Sequence, residues 1–271
     1  MRRVIAALCM TVVLVAWSGV SGNAAARRGI TAKAPPGLTM TSFPQAKSWF
    51  KRMCDYLDSL QSFQFHASTV REVIFPKGGR IDQTYDTDVV VQRPNKLRVD
   101  FIKPNANRTV YYDGSNLTVY TPKMNLYGMV AVPPTIERML DTVLDDYGIA
   151  FPLADLFRQN AYATAMKNVT MGIVVGPSII DGVMCKQLAF QGRDFQFQVW
   201  VEDSPTPIPR RLVIIDQGVK GDPRFMATIS KWSSNPAIDQ SMFCFTPPPG
   251  AKRIQIIKQP TAGSSKKGYR R

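Results

Sequence analysis

Apolar residues fall at helical intervals in one stretch of this chain and at alternate positions in most of the rest. Trp49, Phe50, Met53, Tyr56, Leu57 and Leu60 recur at helical spacing, an apolar stripe that faces a core or a groove. Pro44 suits the first turn of that helix, and Ser42 with Gln45 three residues later forms a capping pattern. After Leu60 the interval drops to two. Phe63, Phe65, Ala67 and Thr69 alternate with Gln64, His66, Ser68 and Val70, which predicts a strand with one apolar face.

The same alternation continues with interruptions. Lys77-Gly78-Gly79 predicts a turn, residues 81–92 a returning strand, and Leu97, Val99 and Phe101 another, ended by Pro104-Asn105. Residues 110–112 and 117–119 flank Asp113-Gly114, a hairpin signal, and residues 126–132 form one more short strand. The pattern then turns helical. Pro133-Pro134 opens a helix with Ile136, Met139, Leu140, Val143 and Leu144 on one face, and Gly148 closes it. An apolar piece follows through Leu153, Leu156 and Phe157. Strands resume near Val169, with a turn expected over residues 176–182. The clearest half-buried strand has Phe195, Phe197, Val199 and Val201 alternating with Gln196, Gln198, Trp200 and Glu202. Residues 212–215, 225–232 and 243–246 complete the strand pattern, and Pro247-Pro248-Pro249-Gly250 breaks it. The sum is a mainly β (α+β) chain, an antiparallel meander interrupted by helices that either cover or plug one end.

The ends read differently. Arg2 and Arg3, an apolar run over residues 4–17, and Ala24-Ala25-Ala26 make a secretory signal peptide over residues 1–26. Residues 27–41 read as a linker, residues 42–257 as one domain, and residues 258–271 as a basic, disordered tail. The net charge of +14 falls only to +12 when Arg2 and Arg3 are removed, so anionic partners are favoured, with the tail suited to an anionic membrane surface. Cys54, Cys185 and Cys244 remain after cleavage. In an oxidising compartment a Cys185–Cys244 disulfide is one reading, three buried thiols the other.

Catalytic chemistry is thinly represented. His66 is the single histidine of the chain, so neither a His-rich metal site nor a triad beyond it can be assembled. The carboxylate pairs Asp86/Asp88 and Asp145/Asp146 read as solvated charge, with a carboxylate-dependent hydrolase as the less favoured reading. No phosphate-binding or nucleophile-elbow motif occurs. The expectation is a protein that is not an enzyme, uses no cofactor or metal, and binds no nucleic acid, because its aromatics alternate as sheet core rather than as a stacking platform. Three Asn-X-Thr sequons, at Asn107, Asn116 and Asn168, are read as chance.

Four phrases occur in register: Ser62-Phe63, Gln92-Arg93-Pro94-Asn95, Asp113-Gly114 with a strand ending at Tyr120, and residues 243–250 reading FCFTPPPG. Together they resemble the periplasmic lipoprotein carrier LolA and its LolB-like relatives. Trp200 with Pro207 and Pro209-Arg210-Arg211-Leu212 resembles an exported bacterial branch of the same superfamily with no assigned function. The resemblance implies a strongly curved antiparallel sheet forming an unclosed half-barrel, with helices over its mouth as a lid. It implies a monomer that shields lipid or lipoprotein acyl chains, handing them between membrane-protein donors and acceptors, or a sensor that reports a bound lipid to a membrane partner. It places Arg93 as the lid latch; without the resemblance, a solvated arginine is the simpler reading. The expected cavity wall is Phe63, Phe65, Leu97, Val99, Phe101, Leu117, Val119, Phe195, Phe197 and Val199. The expected lid is Ile136, Met139, Leu140, Val143, Leu144, Leu153, Leu156 and Phe157.

Overall fold

A computed structural model describes residues 43–75, 78–151 and 153–259. The signal peptide, the linker, Ser42 with its capping role, Lys77 of the predicted turn and most of the basic tail lie outside these residues. The chain begins with helix α1 (Phe43–Ser59), whose stripe of Phe50, Met53, Cys54 and Leu57 is buried. Strands β1 (Ser62–Ile74), β2 (Arg80–Gln92), β3 (Lys96–Ile102), β4 (Arg108–Tyr112), β5 (Asn116–Thr121) and β6 (Leu126–Ala131) then form a meander. Helices α2 (Ile136–Tyr147), α3 (Ala154–Phe157) and α4 (Ala161–Met166) follow, and β7 (Val169–Ile180), β8 (Val183–Gly192), β9 (Phe195–Glu202), β10 (Pro209–Asp216) and β11 (Arg224–Ser234) form a second meander. A short strand, β12 (Lys252–Ile254), ends the sheet.

The described residues make one twelve-stranded sheet in the order β12-β6-β5-β4-β3-β2-β1-β11-β10-β9-β8-β7. Its first and last strands, β12 and β7, do not pair, so the half-barrel is unclosed. The two meanders join where β1 pairs β11, with Ala67 opposite Ile229. This topology dictates where the helices go. The chain leaves β6 near one edge and must enter β7 at the other, so α2, α3 and α4 cross between the edges. All pairings are antiparallel except β12 with β6, which is parallel.

Local chemistry explains the element ends. Thr135 caps α2 by accepting the Arg138 N–H at 3.3 Å, and Gly148, at φ 65°, ends it in the left-handed region. The Asp113 carboxylate accepts the Ser115 and Asn116 N–H groups at 2.8 and 2.7 Å, building the turn between β4 and β5. Gly114 is required there: a Cβ would lie 2.7 Å from the side-chain nitrogen of Asn95. Two phrases separated in sequence therefore pack against each other. The FCFTPPPG phrase is a strap, with Phe245 seated among Tyr111, Tyr120 and Tyr127 at centroid distances of 5.4, 5.3 and 5.0 Å.

Several expectations need correction. Gly176 does not turn the chain; β7 bulges there and continues to Ile180, and the turn is Asp181-Gly182, both at positive φ. Residues 243–246 are not a strand: Phe243 ends a 3-10 turn (Gln240–Phe243) and Cys244 caps it. Trp200, which alternates with Phe197 and Val199, is buried in a small second cluster with Ile180, Cys185 and Val213. Cys185 and Cys244 are not bridged; all three described cysteines are free. Cys185 lies on β8, whereas the turn before Cys244 packs on β3, six strand positions away, and a disulfide tolerates at most about 7 Å between Cα atoms. Lys258 and Gln259, expected in the tail, are tied to α2. Lys258 Nζ pairs with Asp146 at 2.8 Å and the Gln259 N–H donates to the Asp146 carbonyl at 2.7 Å.

Candidate ligand cavity and its lid

Beneath the helices lies a cavity of about 90 Å³. Its floor is Phe195 and Phe197 of β9 with Leu212 and Ile214 of β10. One wall is α1, through Phe50, Met53, Cys54 and Leu57. The roof is the segment around α3 and α4, through Phe151, Leu153, Ala154, Leu156, Ala161 and Ala165. Asp155 is the sole charged side chain among the lining residues. Phe50 fixes the corner of the site, with its ring centroid 5.3 Å from Phe190, 5.5 Å from Phe197 and 6.0 Å from Tyr162.

The expected cavity residues divide. Phe195 and Phe197 line the space. Phe63, Phe65, Leu97, Val99, Leu117 and Val199 are packed into the main core, and Phe101 and Val119 lie partly buried against it. The expected lid residues divide as well. Leu153 and Leu156 line the cavity, while Ile136, Met139, Leu140, Val143 and Phe157 join the main core and Leu144 is half-buried. The α1 wall was legible as an apolar stripe, but its period could not distinguish core from groove. The α4 roof carries too weak an apolar period to announce itself.

Arg93 stands at the junction of these parts. It leaves the end of β2, is only 7% exposed, and its guanidinium carbon lies 5.2 Å from the Phe63 ring centroid. Nη1 donates to the Leu57 and Leu60 carbonyls at 3.1 and 2.8 Å, at the C-terminal end of α1. Those carbonyls lie at the negative end of the helix dipole, so a buried cation suits them, although the Leu57 carbonyl also accepts the Leu60 N–H at 3.3 Å. Nη2 donates to the Phe157 carbonyl at 3.3 Å, the last residue of α3. One guanidinium thus joins the sheet, the α1 wall and the roof. Burial pulls its pKa down, and Asp58 and Glu137 pull it back up.

Three further contacts hold the roof at residues 158–160, none of them anticipated from the sequence. The Gln159 N–H donates to Glu137 Oε1 at 3.1 Å, and the Asn160 N–H donates to Asp58 Oδ2 at 3.2 Å. Arg158 Nη2 pairs with Asp141 at 3.0 Å. Burial pushes the Asp58 carboxyl above its ordinary value against the Asn160 hydrogen bond and the Arg93 charge. Asp58 Oδ1, Arg93 Nε and Arg158 Nε are buried and find no hydrogen-bond partner among the described residues. The segment over the cavity is held by a polar clasp that is incompletely satisfied.

His66 lies away from this site, on the other face of β1. Its Nδ1 is 2.7 Å from Asp88 and its Nε2 3.8 Å from Asp86. Among the described residues no group of three or more His, Cys, Asp and Glu could hold a metal ion, and no helix is long and apolar enough to cross a membrane.

Residues 46–257 match the family model described as "Predicted periplasmic protein (DUF2092)". The chain belongs to this family. As a DUF2092 protein it is periplasmic, and its curved, unclosed sheet carries helices across the open side. No curated protein matches the sequence. Among solved structures the DUF2092 chain is similar to LprF from Mycobacterium bovis, at 16% identity over 78% of this chain and 99% of that one, TM-score 0.45. It is similar to the lipoprotein LppX of Mycobacterium tuberculosis, at 15% identity over 73% and 99%, TM-score 0.46. It is also similar to a LolA superfamily protein from Nitrosomonas europaea, at 16% identity over 74% and 97%, TM-score 0.37.

Proposed function

We propose that this protein is a periplasmic lipid- or lipoprotein-binding carrier that shields acyl chains in the cavity under α1, α3 and α4. The observation that carries the reading is an apolar cavity roofed by a segment that one buried arginine pins to the sheet. At about 90 Å³ the space is well below the roughly 300–1,000 Å³ of common small-molecule sites, so it corresponds to a closed state. Loading requires the roof to lift. Each methylene that enters contributes about 0.8 kcal/mol. The opposing latch is a few hydrogen bonds from a charged group, each worth about 1.5–3 kcal/mol. A chain of modest length therefore offsets the cost of opening, and the empty protein stays shut. The reading favours binding over catalysis, because the titratable side chains of the cavity are one carboxylate and the Cys54 thiol, which burial keeps neutral.

The test is lipid extraction and native mass spectrometry of protein purified from the periplasm, with uptake of a fluorescent acyl probe measured alongside. Co-purifying acyl species and saturable uptake are expected. Absence of both would overturn the reading.

A further inference from the structure

Asp155 is out of place in the cavity it lines. Its neighbours there are apolar except for the Cys54 thiol, which burial pushes above its ordinary pKa and so keeps neutral. Among the described residues no hydrogen-bond donor reaches the Asp155 carboxylate. Arg158, one turn further on, directs Nη2 to Asp141 instead. A carboxylate in an apolar wall is costly unless something pairs with it. No other side chain lining the cavity carries a charge to pair with it, and the cavity opens onto the carboxylate.

We propose that Asp155 is the polar anchor of the cavity, and that the ligand is a single-chain amphiphile whose polar end donates hydrogen bonds: an ammonium, a hydroxyl or an amide N–H. The chain lies over Phe195, Phe197, Leu212 and Ile214, and the donor end meets Asp155. An ionised fatty acid is disfavoured there, because two carboxylates would share one otherwise apolar site. Burial raises the Asp155 pKa, and the Arg158 charge pulls the other way. A donor head serves either protonation state, since a carboxyl oxygen accepts in both. The assignment rests on the acyl-chain reading and narrows it to a class of head group.

The experiment is displacement of a bound fluorescent acyl probe at pH 8 by dodecylamine, dodecanol and dodecanoate, using wild-type full-length protein, Asp155→Asn and Asp155→Leu. In the wild type the amine should displace the probe at least about tenfold more effectively than the acid, with the alcohol between them. Asp155→Asn should bring amine and acid within about threefold of each other by removing the charge at nearly constant shape. Asp155→Leu should abolish the preference while keeping or strengthening probe binding, which shows that the variant is folded. Equal displacement by all three in the wild type, or an order that survives both substitutions, would overturn the assignment and leave acyl binding intact. Failure of the wild type to bind any chain would overturn the acyl-chain reading and this assignment with it.

Discussion

The sheet has two wings, one on either side of the β1–β11 pair, and they are filled differently. In the wing of β2 to β6, Val91, Leu97, Val99 and Leu117 meet Ile136, Met139, Leu140 and Val143 of α2 in a core in which each is at most 3% exposed. In the wing of β8 to β10 the floor is equally apolar, yet a cavity remains above it. The difference lies in the roof. Helix α2 is twelve residues long and turns branched or long side chains inward. Helices α3 and α4 are four and six residues long. Beside Leu156 they present Ala154, Ala161 and Ala165 to the cavity, and these short side chains fill less of it. Filling fixes one wing as scaffold, and the alanines leave room in the other.

The largest expected effect tests that contrast directly. Leu97→Ala removes a side chain that is 0% exposed, and should cost about 2–5 kcal/mol in urea unfolding. Leu212→Ala on the cavity floor should cost about half as much, because part of that side chain already lacks partner atoms. It should also leave acyl-probe uptake intact or raised. Equal costs would show that the cavity wing is packed as tightly as the other.

Arg93 ties the wings together, so its removal should loosen the roof and spare the sheet. Arg93→Met forfeits hydrogen bonds to Leu57, Leu60 and Phe157. A loss of about 2 kcal/mol in lid closure corresponds to roughly 30-fold faster amide exchange over residues 153–166, measured by hydrogen–deuterium exchange. Exchange in β3 and β4 should change little. If protection falls evenly across both wings, Arg93 is a general structural arginine and the latch idea is lost.

How much of this was legible beforehand follows from the same contrast. The scaffold wing was written plainly: alternation over β1 to β6, the Asp113-Gly114 turn and the Gly148 stop of α2 all act locally. The position of the cavity was legible only in part. The expected wall included Phe195 and Phe197, which line it, but also Leu97, Val99, Phe101, Leu117 and Val119, which do not, because alternation marks a face as buried without saying whether it is buried against protein or empty space. The β12 strand was missed because three exposed residues carry no pattern, and its parallel pairing is set by the strap that delivers it. Arg93 was found only through the resemblance. Its partners are backbone carbonyls, which leave no trace in side-chain identity. Asp58 and Glu137 were missed for the same reason, since what they hold are the N–H groups of Gln159 and Asn160.

The next test exchanges volume between the wings. Ala67→Leu adds a branched side chain where exposure is 0%, and should destabilise by about 1–3 kcal/mol. Ala165→Leu adds the same volume into the cavity and should cost less than about 1 kcal/mol, or stabilise, because it fills space rather than displacing neighbours. Its signature would be weakened uptake of the acyl probe with unchanged or raised Tm. A fall in stability matching that of Ala67→Leu would mean that the roof does not tolerate the volume and the cavity is not spare room.

The smallest effect concerns the clasp, and its sign is opposite to that of most paired carboxylates. Burial holds the Asp58 carboxyl above its ordinary value, although the Asn160 N–H and Arg93 favour the charged form, with Asp55 and Glu137 adding to the upward push. Above that raised value Asp58 is ionised in both folded and unfolded chains. As the pH falls through it, the folded chain takes up the proton first, so this residue's contribution to stability grows. The gain levels off below the unfolded value of about 3.9, where both forms are protonated. The difference in urea midpoint between wild type and Asp58→Asn should therefore shift in favour of the wild type as the pH drops from 7 toward 4. Taking the difference cancels Asp155, whose pKa is raised in the same direction. A difference that stays flat would show that Asp58 is hydrated in the closed protein. The roof would then be held through Arg93, Glu137 and Asp141, without Asp58.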